Sequence, residues 1–175
     1  IYGGLCSFNP INHNMEFVSD KHIKIKKFTS PSVVTEDKEG RLIVGDDNGL
    51  YYYYPDKEKV WVPEIDAPHD ERFHHTNNKY NCIYCDSRGM TWFGTHNGLN
   101  ILEVENNTLR KMKAHSYGIS NNIIMCIFED QNHDIWLSTT NGLNKIVVKK
   151  EKGEYHYSCL LYTSPRPRDG LLSRM

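Results

Sequence analysis

The chain has 175 residues, 38% of them hydrophobic and 25% charged, with a formal net charge of −1 and a pI near 6.8. That balance gives no electrostatic basis for a nucleic-acid or anionic membrane partner. The sequence also lacks a run of about 18 apolar residues that would cross a bilayer as a helix.

In chain order, the sequence repeats one turn pattern. It opens on the end of a copy, Tyr2-Gly3-Gly4-Leu5, and the run Ile23–Phe28 reads as the fourth strand of that copy. The first full copy begins with a strand at Ser32–Glu36, followed by Asp37 and Gly40. A second strand runs over Arg41–Gly45 with Ile43 in third place, and Asn48-Gly49 precedes a third strand, Leu50–Tyr54. Val60–Val62 reads as the fourth. The second copy repeats the order with Asn81–Cys85, Asp86, Gly89, Met90–Gly94 around Trp92, Asn97-Gly98, Leu99–Val104 and Leu109–Met112. The third gives Ile123–Phe128, Asp130, Asp134–Ser138 around Trp136, Asn141-Gly142 and Leu143–Val148, with His133 where the others have glycine.

The apolar and β-branched runs of strand length predict strands, and no 3.6-residue stripe predicts a helix pair. An Asp bonds the amides of the turn that follows it, and Gly takes a positive φ without steric cost. At the third copy, Asn132 or Asp134 is expected to carry the left-handed conformation in place of His133. Asn-Gly between apolar runs is a hairpin signal.

The last glycines of the copies stand at 4, 49, 98 and 142, intervals of 45, 49 and 44 residues. Four antiparallel strands per unit at this spacing predict the blades of a β-propeller. The expected fold is therefore all-β, a partial β-propeller of about three and a half four-stranded blades. The half blade spans 1–28 and the blades about 29–77, 78–121 and 122–158, so residues 1–158 form a propeller fragment. Starting at Ile1 in mid-repeat, the chain reads as a piece of a longer array. Residues 159–175, from Cys159 through Pro165, Arg166, Pro167 and Arg168, break the pattern. They resemble an in-frame translation of the transposon-end adapter used in sequencing libraries, a non-native tail.

Several residues invite chemistry. Cys82 and Cys126 sit at the slot of Val33, which predicts small buried hydrophobes. Cys82 and Cys85 have CxxC spacing, but in a strand they point to opposite faces, and no second pair completes a zinc site. Trp92 and Trp136 share the slot of Ile43 and are expected to fill the space between blades. Of Tyr51–Tyr54, two are expected to pack between blades and two to face water or ligand. The connection from Pro63 to Lys79 holds His69, Asp70, Glu71, His74 and His75 without metal-ligand spacing, so it reads as a solvated loop. Lys21, Lys24, Lys26 and Lys27 read as an exposed strand face protected against edge pairing. No catalytic, cofactor-binding or metal-ligating set emerges, and ligand-binding residues stay unassigned.

The three copies resemble the two-component regulator propeller repeat, a strand followed by Asp-x-x-Gly-x-hydrophobic-Trp-hydrophobic-Gly-Thr-x-x-Gly-Leu. Asp86, Gly89, Trp92, Gly94, Thr95, Gly98 and Leu99 match it slot by slot. So do Asp130, Trp136, Thr139, Gly142 and Leu143, with His133 and Ser138 departing at glycine slots. Asp37, Gly40, Gly45, Gly49 and Leu50 match in the first full copy, with Ile43 for Trp and Asp46 for Thr. The resemblance implies the periplasmic sensor region of a hybrid two-component histidine kinase, anchored in the inner membrane. Its implied partners are a small-molecule ligand of the oligosaccharide kind, the remaining blades of the parent chain and a second parent copy, with no nucleic acid and no membrane contact in this segment. On that reading the fragment itself is not an enzyme. The Asp turns also resemble the Asp-box of sialidases and related propeller hydrolases, so the alternatives are a propeller enzyme of glycoside hydrolase or lyase type and a protein-docking scaffold. Sparse arginine, Arg41, Arg72, Arg88 and Arg110 before the tail, weighs against the enzyme.

Overall fold

The structure, a computed structural model, describes residues 5–17, 31–46, 49–55, 59–61, 79–103 and 108–162. Sheet I is a two-stranded hairpin of β1 (Cys6–Phe8) and β2 (Met15–Phe17). Sheet II comprises β3 (Pro31–Glu36), β4 (Leu42–Asp46), β5 (Gly49–Tyr54) and β6 (Lys59–Trp61). Sheet III comprises β7 (Tyr80–Cys85), β8 (Thr91–Thr95), β9 (Gly98–Glu103) and β10 (Thr108–Met112). A single helical turn, α1 (Ala114–Tyr117), leads to sheet IV, made of β11 (Ile124–Glu129), β12 (Ile135–Thr139), β13 (Gly142–Glu151) and β14 (Glu154–Tyr162). Sheets II to IV are antiparallel meanders in chain order. Three such four-stranded blades beside a two-stranded portion of another make a partial β-propeller.

Strand alternation gives each blade two apolar faces, which we call leading and trailing. The trailing face of sheet II, with Ile43, Leu50 and Tyr52, packs on the leading face of sheet III, with Tyr80, Phe93 and Leu102. The trailing face of sheet III, with Met90, Trp92, Leu99, Ile101 and Met112, packs on Ile124, Ile127, Ile135, Leu137 and Ile146 of sheet IV. On the other side of sheet II, Leu5 packs against Val44 and Tyr51. Each first strand carries a bulge at the same place, between Pro31 and Val33, Tyr80 and Cys82, and Ile124 and Cys126. Gly94 has no room for a side chain, because a Cβ there would lie 2.4 Å from Cys82 Sγ and 2.9 Å from Ile124 Cγ2 of the next blade.

The turns differ from expectation in two respects. The two-residue loop between β8 and β9 is His96-Asn97, since Thr95 pairs with Gly98, and Thr140-Asn141 is its counterpart. The positive φ falls on Gly98 (117°) and Gly142 (136°), not on the asparagines. The Thr95 hydroxyl accepts from Asn97 N at 3.0 Å and donates to Gly98 O at 2.8 Å, and Thr139 does the same for Asn141 and Gly142. A side-chain hydroxyl thus closes the loop, which frees the asparagine from the left-handed region. In the third copy His133 itself takes the left-handed backbone, with φ 63°, rather than Asn132 or Asp134. Its amide donates to Asp130 O at 2.9 Å as the Gly89 amide donates to Asp86 O, so the turn geometry is retained and the side chain accepts the strain.

Strand assignments also shift. Within the described residues β1 pairs with Met15–Phe17, and Ile23–Phe28 lies outside them. The boundary at 158 falls inside β14, which continues in register to Tyr162 opposite Leu143. Ten-residue β13 offers a long ladder, and Leu160, Leu161 and Tyr162 extend it as strand-forming residues whatever their origin.

Candidate functional site

The repeated aspartates form the most organised polar structure. Asp86 Oδ1 accepts from the amides of Arg88 and Met90, both at 2.9 Å, and Oδ2 accepts from the Trp92 indole N–H at 3.0 Å and Arg88 Nε at 2.9 Å. Arg88 Nη2 lies 2.8 Å from the same oxygen as an ion pair. Asp130 repeats this with Asn132 N at 2.9 Å, Asp134 N at 3.0 Å and the Trp136 indole at 2.8 Å. The indole bond, the amides of Asp134 and Asn132, and Lys145 hold the Asp130 carboxyl down to about 2. Asp37, whose copy has Ile43 in place of tryptophan, accepts at Oδ2 from Arg41 Nε at 2.5 Å. Each aspartate is therefore committed to its turn and to a partner four or six residues on. The Asp–Trp bond was absent from the sequence reading, although the constant spacing of six is its signal.

Neighbouring blades are stitched along two lines. On the first strands, Ser32 Oγ donates to Tyr80 O at 3.0 Å and Asn81 Nδ2 to Ile124 O at 2.8 Å. Ser32 and Asn81 each stand five residues before the repeat aspartate, and Met125 holds that slot in sheet IV. On the rim of Asp turns, Lys38 Nζ donates to Ser87 O and Arg88 Nη1 to His133 O at 2.7 Å. Ser87 donates its amide to Glu129 Oε2 at 2.8 Å and its hydroxyl to Oε1 at 2.5 Å. Burial raises the Glu129 carboxyl, but the Ser87 and His133 bonds outweigh it and hold the group below its usual range.

Ser87, His133 and Glu129 have the side chains of a nucleophilic triad but not its geometry. His133 Nδ1 meets both Ser87 Oγ, at 2.8 Å, and Glu129 Oε1, at 3.1 Å. A relay needs one imidazole nitrogen for the hydroxyl and the other for the carboxylate. The cluster is an inter-blade clamp.

A cavity of about 210 Å³ lies at this rim, lined in part by Asp37, Lys38, Arg41, Tyr52, Cys85 and Tyr155. It is smaller than the roughly 300–1,000 Å³ of ordinary small-molecule sites. Its aromatic faces are already covered by cations, with Arg41 5.5 Å from the Tyr52 ring centroid and Lys150 4.9 Å from that of Tyr155. Arg41 is paired with Asp37 and Glu39. Burial pushes the Cys85 thiol up, with Thr91 Oγ1 3.8 Å away, so it is a poor nucleophile at neutral pH. A second polar group, also unread from sequence, is buried between sheets III and IV. Glu103, 2% exposed, accepts from Arg110 Nε at 2.5 Å and Tyr157 OH at 2.7 Å.

The other residues singled out from sequence resolve as follows. Cys82 and Cys85 pack into different clusters on opposite faces, and burial pushes the Cys82 thiol up to about 12. Cys126 is exposed, against expectation, because among the described residues no sheet packs on the trailing face of sheet IV. Trp92 is 0% exposed between sheets III and IV. Trp136 faces the uncovered side, where Lys145 Nζ lies 5.3 Å from its ring centroid. Tyr51 and Tyr52 are both buried on opposite faces, and Tyr53 and Tyr54 are half-buried. No pair faces water, because sheet II has a sheet on either side. The segment with His69, Asp70, Glu71, His74 and His75, and the lysines at 21, 24, 26 and 27, lie outside the described residues. Among the described residues no three His, Cys, Asp or Glu converge as a metal site.

Residues 75–97 and 118–141 match the family described as Two component regulator propeller. The chain is similar to the extracellular domain of BT4673 from B. thetaiotaomicron, described as a hybrid two component system. The identity is 26% and the TM-score 0.63, over 82% of this chain and 19% of that one. A second structure of that extracellular domain, described as a one component system, aligns at 25% identity and TM-score 0.63 over 86% and 20%. The extracellular domain of BT3049 from the same organism, described as a hybrid two component system, aligns at 21% identity and TM-score 0.57 over 82% and 17%, a likeness of fold. The chain thus spans about a fifth of the length of the first two structures. No curated protein matches it.

Proposed function

We propose that the chain, of which residues 75–97 and 118–141 match the two-component regulator propeller family, belongs to the extracytoplasmic sensor region of a two-component signalling protein. The carrying observation is its alignment at 26% identity, over 82% of its length, with the extracellular domain of a protein described as a hybrid two component system. Asp37, Asp86 and Asp130 are held by turn amides, and Asp86 and Asp130 by indoles as well, so the repeat carboxylates serve the turns. In this reading the parent is a hybrid histidine kinase anchored in the inner membrane, with the propeller in the periplasm. An oligosaccharide held at a propeller face biases the arrangement of a parent homodimer and so the kinase across the membrane.

Two measurements on the intact parent test this. The complete ectodomain on a glycan array is expected to retain one class of oligosaccharide, and the same sugar is expected to change autophosphorylation of the full-length protein in membranes. An array without a binder removes the sugar and leaves the sensor. A gene that ends after one closed propeller, with neither membrane helix nor kinase, removes the sensor.

A further inference from the structure

The cavity at the rim of Asp turns lies within the array, between sheets II and III with Tyr155 of sheet IV at its side. Its volume of about 210 Å³ leaves room for one terminal unit of a sugar chain and not for the chain itself. Arg41 lies over the rings of Tyr52 and Tyr54, so the cavity offers charge rather than a stacking surface. On its wall Arg41 is paired with Asp37, and Arg88 with Asp86 behind it. The Asp37 side chain is 9% exposed and accepts from the amides of Glu39 and Arg41, so that carboxylate belongs to the turn. Glu39 and Lys38 remain. Glu39 Oε2 lies 3.0 Å from Arg41 Nη1, on a side chain 67% exposed. Lys38 Nζ donates to Ser87 O and has no carboxylate partner among the described residues.

We propose that this cavity binds the carboxylate of an acidic sugar, a uronate at the end of an oligosaccharide, on Arg41 and Lys38 in the position that Glu39 takes. The inference rests on the oligosaccharide-sensing reading above and narrows it to sugar acids. An exposed ion pair contributes little to stability, so Glu39 swings out at small cost. The incoming carboxylate keeps Arg41 neutralised and adds Lys38 as a second cation. The planar guanidinium suits a carboxylate, the group it already holds there. A neutral sugar would displace Glu39 and return no charge to Arg41, so the exchange selects the acid.

Nitrogen-15 NMR titration of the full chain with galacturonate, galactose and acetate tests the site. Galacturonate is expected to shift the amides of Lys38, Glu39 and Arg41 saturably, and galactose, which differs only in its uncharged sixth carbon, to leave them in place. Glu39→Gln removes the internal competitor and should tighten galacturonate by about two- to fivefold, the factor that an exposed ion pair is worth. Lys38→Gln should weaken it. The Glu39 change is at an exposed position and is read as a gain, which a loss of folding cannot imitate. Galacturonate without a saturable shift, galactose binding as tightly, or Glu39→Gln binding no more tightly than the parent overturns the proposal. Acetate binding as tightly as galacturonate overturns the sugar and reduces the site to one for any carboxylate. The sensor reading stands or falls separately: a complete ectodomain that retains a neutral oligosaccharide on the array, with no galacturonate shift here, keeps the sensor and removes the acid site.

Discussion

Sheets III and IV share the aspartate, tryptophan and threonine of the repeat at the same slots and differ in what covers them. Trp92 and Trp136 each follow their aspartate by six residues and each donate the indole N–H to it, at 3.0 and 2.8 Å. Trp92 is 0% exposed under sheet IV, with Tyr157 of that sheet edge-on at 5.9 Å. Trp136 is covered from its own sheet by Lys145 and by Tyr162, at 5.3 Å between ring centroids. The repeat thus encodes the turn and its indole bond locally, whereas burial comes from the neighbour. Replacing each tryptophan by alanine separates the two contributions. Trp92→Ala is expected to cost about 3–5 kcal/mol, the range for a large aromatic removed from a packed core. Trp136→Ala should cost about 1–2 kcal/mol, since it removes a hydrogen bond and partial burial only. Chemical denaturation of both variants reads the difference, and equal costs would mean that covering by the next sheet adds nothing.

The glycine slot sharpens the same comparison with a smaller effect. In Gly94→Ala the new Cβ meets Ile124 Cγ2 at 2.9 Å and Cβ at 3.1 Å. Overpacking of this kind costs about 1–3 kcal/mol. Ser138 already bears a side chain at that slot under an open face, so Ser138→Ala should stay within about 0.5 kcal/mol of the parent. Thermal melts of the pair check this. A Gly94→Ala variant that melts with the parent would show that sheets III and IV slide apart without penalty.

Much of this was legible before the structure, and the exceptions have a common physical origin. Spacing and β-rich runs located the strands of sheets II to IV because a blade is a local meander whose hydrogen bonds join consecutive segments. The aspartate turns were legible for the same reason, as Asp and its amide donors lie within four residues. What stayed hidden depends on partners 42 to 54 positions away. Ser32 with Tyr80, Asn81 with Ile124, Ser87 with Glu129 and Glu103 with Tyr157 are examples. The tyrosine run was misjudged because alternation specifies two faces, but only the packing of sheets I and III on sheet II reveals that both are covered. Asn-Gly marked the hairpins, but the loop lies one residue earlier, at His96-Asn97 and Thr140-Asn141, where the Thr95 and Thr139 hydroxyls bond the loop backbone.

The charge supporting each tryptophan separates the sheets again. In sheet III, Asp86 is 0% exposed and paired with Arg88. In sheet IV, Asp130 is paired with Lys145 at 3.4 Å, and Lys145 is raised by Asp134 at 2.8 Å and by Asp130. The Asp130 carboxyl falls from its ordinary 3.8 to about 2. Its folded form binds a proton less readily than its unfolded form, so its stabilising contribution is complete above about pH 4 and is lost as the pH falls toward 2. Urea denaturation followed by tryptophan emission at pH 7, 4 and 2.5 should show this loss in the parent and a flatter acid limb in Asp130→Asn. Equal acid limbs would mean that the indole and lysine contacts do not persist in solution.

The smallest expected effect sits at the glycine of the turn itself. Gly89 holds φ 87° in sheet III, with nothing within 4 Å of where a Cβ would stand, and His133 holds φ 63° at the same slot in sheet IV. Gly89→Ala should cost about 1 kcal/mol through backbone strain alone. His133→Gly returns a similar amount but removes the exposed imidazole contacts to Ser87 and Glu129, worth about 0.2–1 kcal/mol. The net change at His133 should therefore be near zero or slightly stabilising. A His133→Gly variant that loses more stability than Gly89→Ala would show that the clamp between sheets III and IV outweighs the strain, and that the histidine holds its slot for what it reaches across the blade boundary.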